Sequence, residues 1–395
     1  MKYDFDQKID RRNTYCAKLS SEQEGLDNHL YDNDYIYMQI ADMDFACSEG
    51  IRSELKKVLD HNIYGYTIAT HSYGSDVYDM IAQWLNAHHG LSIKGSNIFY
   101  AEGTLGAVTS ALKAFTKPGE GVIINRPVYG PFTMCINNVG CHVVNSQLLK
   151  DDKGRYSINF EELEQLAADP NNTAYILCSP HNPVGRVWSE EELLKLHEIC
   201  QRNHVLLISD EVHCDFVWGD QKFLPTIKVT GGKGVVMCSA FAKTFNLAGL
   251  KPGFSVVTDP DLLPKVAQSS EFIFPSPFTI ASIKGACLYS EDWLQQMKEY
   301  VRGNIEAATA FFKQRMPKVN FYEPEGTYLL WLDFNKYGFS DEELHQRIYA
   351  NAKVILEDGT LFDPDHGHGF QRLCLPVNRS RMLEGLERIA VELEK

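Results

Sequence analysis

The chain has no Cys-x-x-C pair: its ten cysteines stand singly between Cys16 and Cys374. That spacing excludes a structural zinc site of the usual kind and a disulfide framework, and points to reduced thiols in a large intracellular protein. Positive charge is also scarce. Lys plus Arg number 38 against 52 Asp plus Glu, a net charge of −14, and so acidic a surface repels phosphate backbones and anionic membranes. Nucleic acid is therefore excluded as a partner. No apolar run approaches the roughly 18 residues of a membrane span, and the opening Met1-Lys-Tyr-Asp-Phe-Asp6 is polar where a secretory signal is apolar. A soluble, cytoplasmic protein with no membrane partner is expected. Internal repeats, low-complexity tracts and Pro/Gly/Ser linkers are missing too, so any domain boundary falls within a helix or a short connection. With 395 residues, 44% of them apolar, two domains are expected.

Between about residues 95 and 260, short apolar runs alternate with stretches of helical period, the pattern of βαβ units and a mostly parallel sheet. Four runs stand out: Gly121-Val-Ile-Ile124, Ala174-Tyr-Ile-Leu-Cys178, Val205-Leu-Leu-Ile208 and Gly234-Val-Val-Met-Cys238. Their near-continuous apolarity suits strands covered on both faces. Ser189 with Glu192 forms a capping box that predicts a helix ending before Asn203. After about residue 290 the pattern predicts a long helix through Ala307–Phe312, a strand over Thr327–Leu332 and a closing helix from about Arg381, which together read as a smaller α+β unit. The first forty residues are too weakly periodic to stand alone and are expected to dress one of the domains.

In open parallel sheets, ligands bind at the carboxyl ends of the strands. The four runs are followed there by Asn125-Arg-Pro-Val-Tyr129, Ser179-Pro-His-Asn-Pro-Val-Gly185, Ser209-Asp-Glu-Val-His213 and Ser239-Ala-Phe-Ala-Lys243. One edge of the sheet thus collects an aromatic ring, an amide, a carboxylate, an imidazole, a hydroxyl and an amine. Upstream, Gly103-Thr-Leu-Gly106 opens a helical pattern, and a helix start binds phosphate through free N–H groups and its dipole. Gly231-Gly-Lys-Gly234 lacks the strand, Gly-x-Gly-x-x-Gly, helix order of a dinucleotide site. The pair His366 and His368 lies in an Asp/Gly-rich loop, and no metal is expected there.

Pyridoxal 5'-phosphate wants this combination of phosphate cradle, stacking ring, carboxylate and lysine amine. At about 4 Å and an effective dielectric near 20, a carboxylate favours the protonated ring nitrogen by on the order of 4 kcal/mol, or ~3 pKa units. Asp210 is suited to that role.

The chain also resembles a known family, the fold-type I pyridoxal-phosphate enzymes, and within them the MalY/PatB-type cystathionine β-lyases. The resemblance runs from Ile40-Ala-Asp-Met-Asp44 to the C-terminus and rests on Ser179–Gly185, Ser209-Asp-Glu-Val-His-Cys-Asp215 and Ser239-Ala-Phe-Ala-Lys-Thr-Phe-Asn-Leu-Ala-Gly249. It implies a mostly parallel seven-stranded sheet wound by helices in a large domain, residues 46–287, with residues 1–45 plus 288–395 forming a smaller α+β domain. It implies Lys243 as the Schiff-base lysine and catalytic base, Asp210 as partner of the pyridine nitrogen, Asn182 on the ring hydroxyl and Tyr129 on the ring face. His213 joins the cofactor set. The backbone of Thr104 and Leu105 and the hydroxyl of Ser239 would hold the phosphate, with Tyr66 donated across the interface of a homodimer. Arg372 and Ala41 would meet the substrate, Arg372 forking onto its α-carboxylate.

Two departures bear on the chemistry. Many aminotransferases of this fold carry Tyr three residues after the aspartate, whereas His213 stands there, as in the β-lyase branch. The segment Leu247–Gly253 has no arginine to bind the phosphate. The expected reaction is α,β-elimination from cystathionine or another cysteine S-conjugate, giving a thiol, pyruvate and ammonia. Transamination and a noncatalytic, cofactor-binding regulatory role are the alternatives.

Overall fold

The computed structural model describes residues 2–19, 34–68, 76–271 and 273–395. Its centre is a seven-stranded sheet. In spatial order the strands are Ile98–Glu102, Pro252–Val256, Val235–Ala240, Leu206–Asp210, Asn172–Cys178, Gly121–Ile124 and His142–Asn145. Only Pro252–Val256 runs antiparallel to its neighbours. The four runs expected from the sequence are all strands, side by side and in chain order.

Alternation along these strands feeds two cores. Tyr175, Leu207, Val235 and Met237 point into one, and Ala174, Ile176, Ile208 and Val236 into the other. All eight are buried, each larger side chain contributing roughly 1.5–3 kcal/mol by leaving water. The crossover helix Glu190–Arg202 opens on the expected capping box: Ser189 accepts from the Glu192 N–H, and Glu192 accepts from the Ser189 N–H.

The later part of the chain builds the long helix Glu291–Arg315, a three-stranded antiparallel sheet of Leu329–Asp333, Phe370–Cys374 and Glu357–Asp358, and the closing helix Arg379–Leu393. The N-terminal segment packs against it. Phe5 meets Phe45 edge-on at 5.1 Å and Trp293 at 5.9 Å, and Ile36–Tyr37 pairs in parallel with Val354–Ile355. Arg11 and the buried Lys18 hold Asp42 and Asp44. Burial alone would lower the Lys18 pKa, but Asp44 and Asp42 beside it hold it above its ordinary value. The segment Ile40–Phe45 is held further by the Asp44 N–H, which donates to the Pro376 carbonyl at 3.0 Å, and by the Met43 N–H, which donates to Asn246 Oδ1.

Candidate active site

Lys243 lies on the four-residue helix Phe241–Thr244, directly after the strand Val235–Ala240. Two side chains anchor this turn from opposite sides. Thr244 donates to Asp215 Oδ2 at 2.6 Å, and Asn246 grips the N-terminal segment, donating to the carbonyls of Met43 and Phe45 and accepting from the Met43 N–H. The Ala41 carbonyl consequently lies 2.8 Å from Lys243 Nζ, and it accepts from the Tyr328 hydroxyl as well. Burial, and after it the charge of Arg372, lowers the Lys243 pKa and favours the neutral amine.

A cavity of about 740 Å³ opens over this lysine and is lined by Ala41, Tyr129, Asn182, Asp210, His213, Lys243 and Arg372. Seven positions singled out in the sequence therefore converge from six separate segments. Asp210, at the end of its strand, is buried and accepts from the Val212 N–H at 3.1 Å. Burial pushes its carboxyl up to about 7, against the Val212 hydrogen bond and the charge of Lys243. Among the described residues no side-chain cation hydrogen-bonds this carboxyl, and a protonated ring nitrogen would supply one.

Asn182 Oδ1 accepts from Arg372 Nη1 at 3.0 Å, leaving its NH₂ to donate to a ring oxygen. His213 is held neutral, its pKa driven well below the ordinary value by burial and then by Lys243 and Arg372, and its Nδ1 is buried with no partner. Burial pushes the Tyr129 phenol up to about 12, so it stays protonated. These residues fit pyridoxal phosphate.

The positions expected to hold the phosphate are less directly joined to the cavity. Thr104 and Leu105 occupy the first turn of the helix Gly103–Phe115, whose leading N–H groups lack intrahelical partners. Ser239 is buried at the end of its strand and donates to the Glu211 carbonyl at 3.2 Å. None of the three lines the cavity itself. A backbone contact nevertheless shapes this end: a Cβ built on Gly253 would lie 2.4–2.6 Å from the backbone of Gly103, so only glycine lets the helix start come so close. Tyr66 is fully exposed and outside the cavity.

Several neighbours carry no sequence motif. Glu357 sits opposite Arg372 across two paired strands and takes a hydrogen bond from its Nη2. Gln39 supplies a carbonyl to the same nitrogen at 3.1 Å, Phe362 stacks on the guanidinium, and Arg126 lines the same cavity. Behind the Lys243 turn, His89 Nε2 lies 3.0 Å from Asp215 Oδ1. Against the upward push of burial, His89 and Thr244 hold the Asp215 carboxyl at about 2. His89, Cys214 and Asp215 are the one group among the described residues with metal-ligand proximity. His366 and His368 do not converge, each facing its own carboxylate, Asp363 and Asp341.

The profile of the aminotransferase class I and II family matches residues 34–389. The chain is 37% identical to cystathionine beta-lyase PatB of Bacillus subtilis, over 98% of this chain and 99% of that protein. It is 27% identical to the protein MalY of Escherichia coli, over 97% of each. Among solved structures, cystalysin from Treponema denticola, which contains a pyridoxal 5'-phosphate cofactor, is similar with a TM-score of 0.92 and 31% identity, covering 100% of this chain and 99% of that one.

Proposed function

Because the chain belongs to the aminotransferase class I and II family, in its MalY/PatB-type cystathionine β-lyase branch, we propose that it is a pyridoxal 5'-phosphate-dependent carbon–sulfur lyase acting on cysteine S-conjugates such as L-cystathionine. A conjugate R–S–CH₂–CH(NH₃⁺)–COO⁻ and one water yield the thiol RSH, pyruvate and ammonium. The observation that carries this reading is the single cavity joining the Lys243 amine, the buried Asp210 carboxylate and the Arg372 fork.

When bound, pyridoxal phosphate takes up the electron pair left at the substrate's Cα. Arg372 grips the α-carboxylate and turns the Cα–H bond toward Lys243. The Lys243 amine, its pKa lowered by burial, removes that proton. Asp210 keeps a proton on the ring nitrogen, Asn182 donates to the ring oxygen, and Tyr129 covers the ring face. The first turn of Gly103–Phe115 and Ser239 serve the phosphate. His213 and the Ala41 backbone complete the wall beside the reacting carbon. Expulsion of sulfur from Cβ, in place of reprotonation at the cofactor, makes the reaction a cysteine-S-conjugate β-elimination.

Residues 46–287 form the large, cofactor-binding domain, and residues 1–45 with 288–395 the small one. The working unit is a homodimer in which Tyr66 reaches the phosphate of the other subunit. In support, Ile63, Tyr64, Tyr66 and Ile68 form a run of exposed large apolar side chains, an arrangement a second copy would cover. All ten cysteines are free, which supports a cytoplasmic setting.

Incubation with cystathionine and no keto acid tests the proposal. Pyruvate and thiol released over many turnovers support it. A single turnover that stalls with the amino group on the cofactor assigns the chain to transamination, and bound cofactor with no turnover on any S-conjugate assigns it a regulatory role.

A further inference from the structure

We propose that Arg126 forms a second anion subsite in the cavity, one that takes a carboxylate on the departing thiol arm of the substrate. The inference rests on the elimination reading and deepens it by naming the substrate class: cysteine S-conjugates whose arm is acidic.

Arg126 follows the strand Gly121–Ile124, and its backbone is held on both sides. Its N–H donates to Asn145 Oδ1 at 3.0 Å, and its carbonyl accepts from the Leu148 N–H at 2.9 Å. The side chain is half-buried on the cavity wall, yet among the described residues its guanidinium makes no hydrogen bond or ion pair. The other charges of the cavity are spoken for. Arg372 is engaged by Asn182, the Gln39 carbonyl and Glu357, Lys243 donates to Ala41, and Asp210 answers the ring nitrogen. Among the described residues, Arg126 is the guanidinium of the cavity without a protein partner. A guanidinium fixed at its root and partly stripped of water recovers most from a carboxylate, which it meets with two parallel hydrogen bonds.

Val128, Leu361, Phe362 and Pro364 line the same cavity with apolar surface, which suits a thioether arm. The two loops that carry Arg126 and Phe362 are also joined. The Val128 N–H donates to the Phe362 carbonyl at 3.1 Å, and Gly130 comes so near Leu361 that a Cβ would lie 2.4 Å from its carbonyl oxygen. Arg126 is thereby held in register with the wall that backs Arg372, and a substrate with a carboxylate at each end has a cation for both.

The test compares S-(2-carboxyethyl)-L-cysteine with its near-isosteric neutral partner S-(2-carbamoylethyl)-L-cysteine on the holoenzyme. The wild type favours the carboxylate by about tenfold or more in kcat/KM, carried by KM. Arg126→Gln brings the ratio near one, and Arg126→Lys keeps part of it. A wild-type ratio near one, or a ratio unmoved by Arg126→Gln, overturns the subsite. If neither conjugate releases pyruvate, the elimination reading fails instead, and the subsite is still decided by binding. L-2-Aminoadipate, which has no leaving group, should perturb the cofactor absorbance at lower concentration than L-norleucine in the wild type and lose that advantage in Arg126→Gln; equal affinities in the wild type refute it.

Discussion

Arg372 and Glu357 face each other in register across two antiparallel strands, and Arg372 Nη2 donates to the Glu357 carboxylate. A substrate carboxylate bound there, as proposed, would meet an arginine already engaged by a protein anion. In Glu357→Gln the competing charge is gone, while Asn182, the Gln39 carbonyl and the Phe362 ring still hold the guanidinium. KM should fall by about three- to tenfold with kcat little changed, whereas Arg372→Ala should raise KM by about a hundredfold or more. Steady-state kinetics on one S-conjugate decide this, and a KM that rises in Glu357→Gln contradicts the competition.

Asp210 links the cofactor to pH-dependent stability. Burial raises its carboxyl to about 7, above the ~3.9 of an unfolded chain. Between those values the folded, cofactor-free protein holds a proton that the unfolded chain has lost, so stability declines as pH rises through this window and the loss is complete above about 7. Asn at this position cannot ionise. Cofactor-free Asp210→Asn should exceed the cofactor-free wild type in unfolding free energy by more at pH 8 than at pH 5, the two gaps differing by on the order of 3 kcal/mol. Added cofactor should then stabilise the wild type more than the variant. A gap independent of pH contradicts the uncompensated carboxylate.

Gly253→Ala tests the phosphate cradle. The new Cβ meets Gly103 backbone at 2.4–2.6 Å, so the start of the helix Gly103–Phe115 must move, at a cost of about 1–3 kcal/mol. Cofactor affinity, read by equilibrium dialysis, should fall about tenfold or more even though no side chain proposed to touch the cofactor has changed. Unchanged affinity would place the phosphate elsewhere.

The segment around Tyr66 makes a prediction about assembly. Tyr66 is fully exposed in one chain, so Tyr66→Phe should leave the fold of a single chain untouched while weakening cofactor retention severalfold through loss of a phenolic hydrogen bond. Sedimentation should show a dimer. A monomer with full cofactor occupancy, or a dimer indifferent to Tyr66→Phe, contradicts a shared site.

The central sheet and the main side chains of the site were legible because both leave local marks. A strand buried on two faces reads as an apolar run, and a wound sheet puts its chemistry just after such runs, which is how Asn182, Asp210 and Lys243 could be found together. Pro252–Val256 was not legible as a strand, since its leading Pro-Gly mimics a turn, and only its place between two neighbours reveals that Gly253 must lack a side chain. Glu357 and Gln39 escaped notice because their link to Arg372 is made by strand register and chain crossing over 15 and 333 residues. His89 reaches Asp215 across 126 positions of sequence, a distance over which no local pattern speaks.

The bond between cofactor and protein decides the proposed function. Borohydride reduction of the holoenzyme followed by peptide mapping should fix one pyridoxyl group per chain on Lys243, and Lys243→Ala should lose both the label and elimination. A label on any other lysine, or none on a cofactor-loaded and active enzyme, contradicts it.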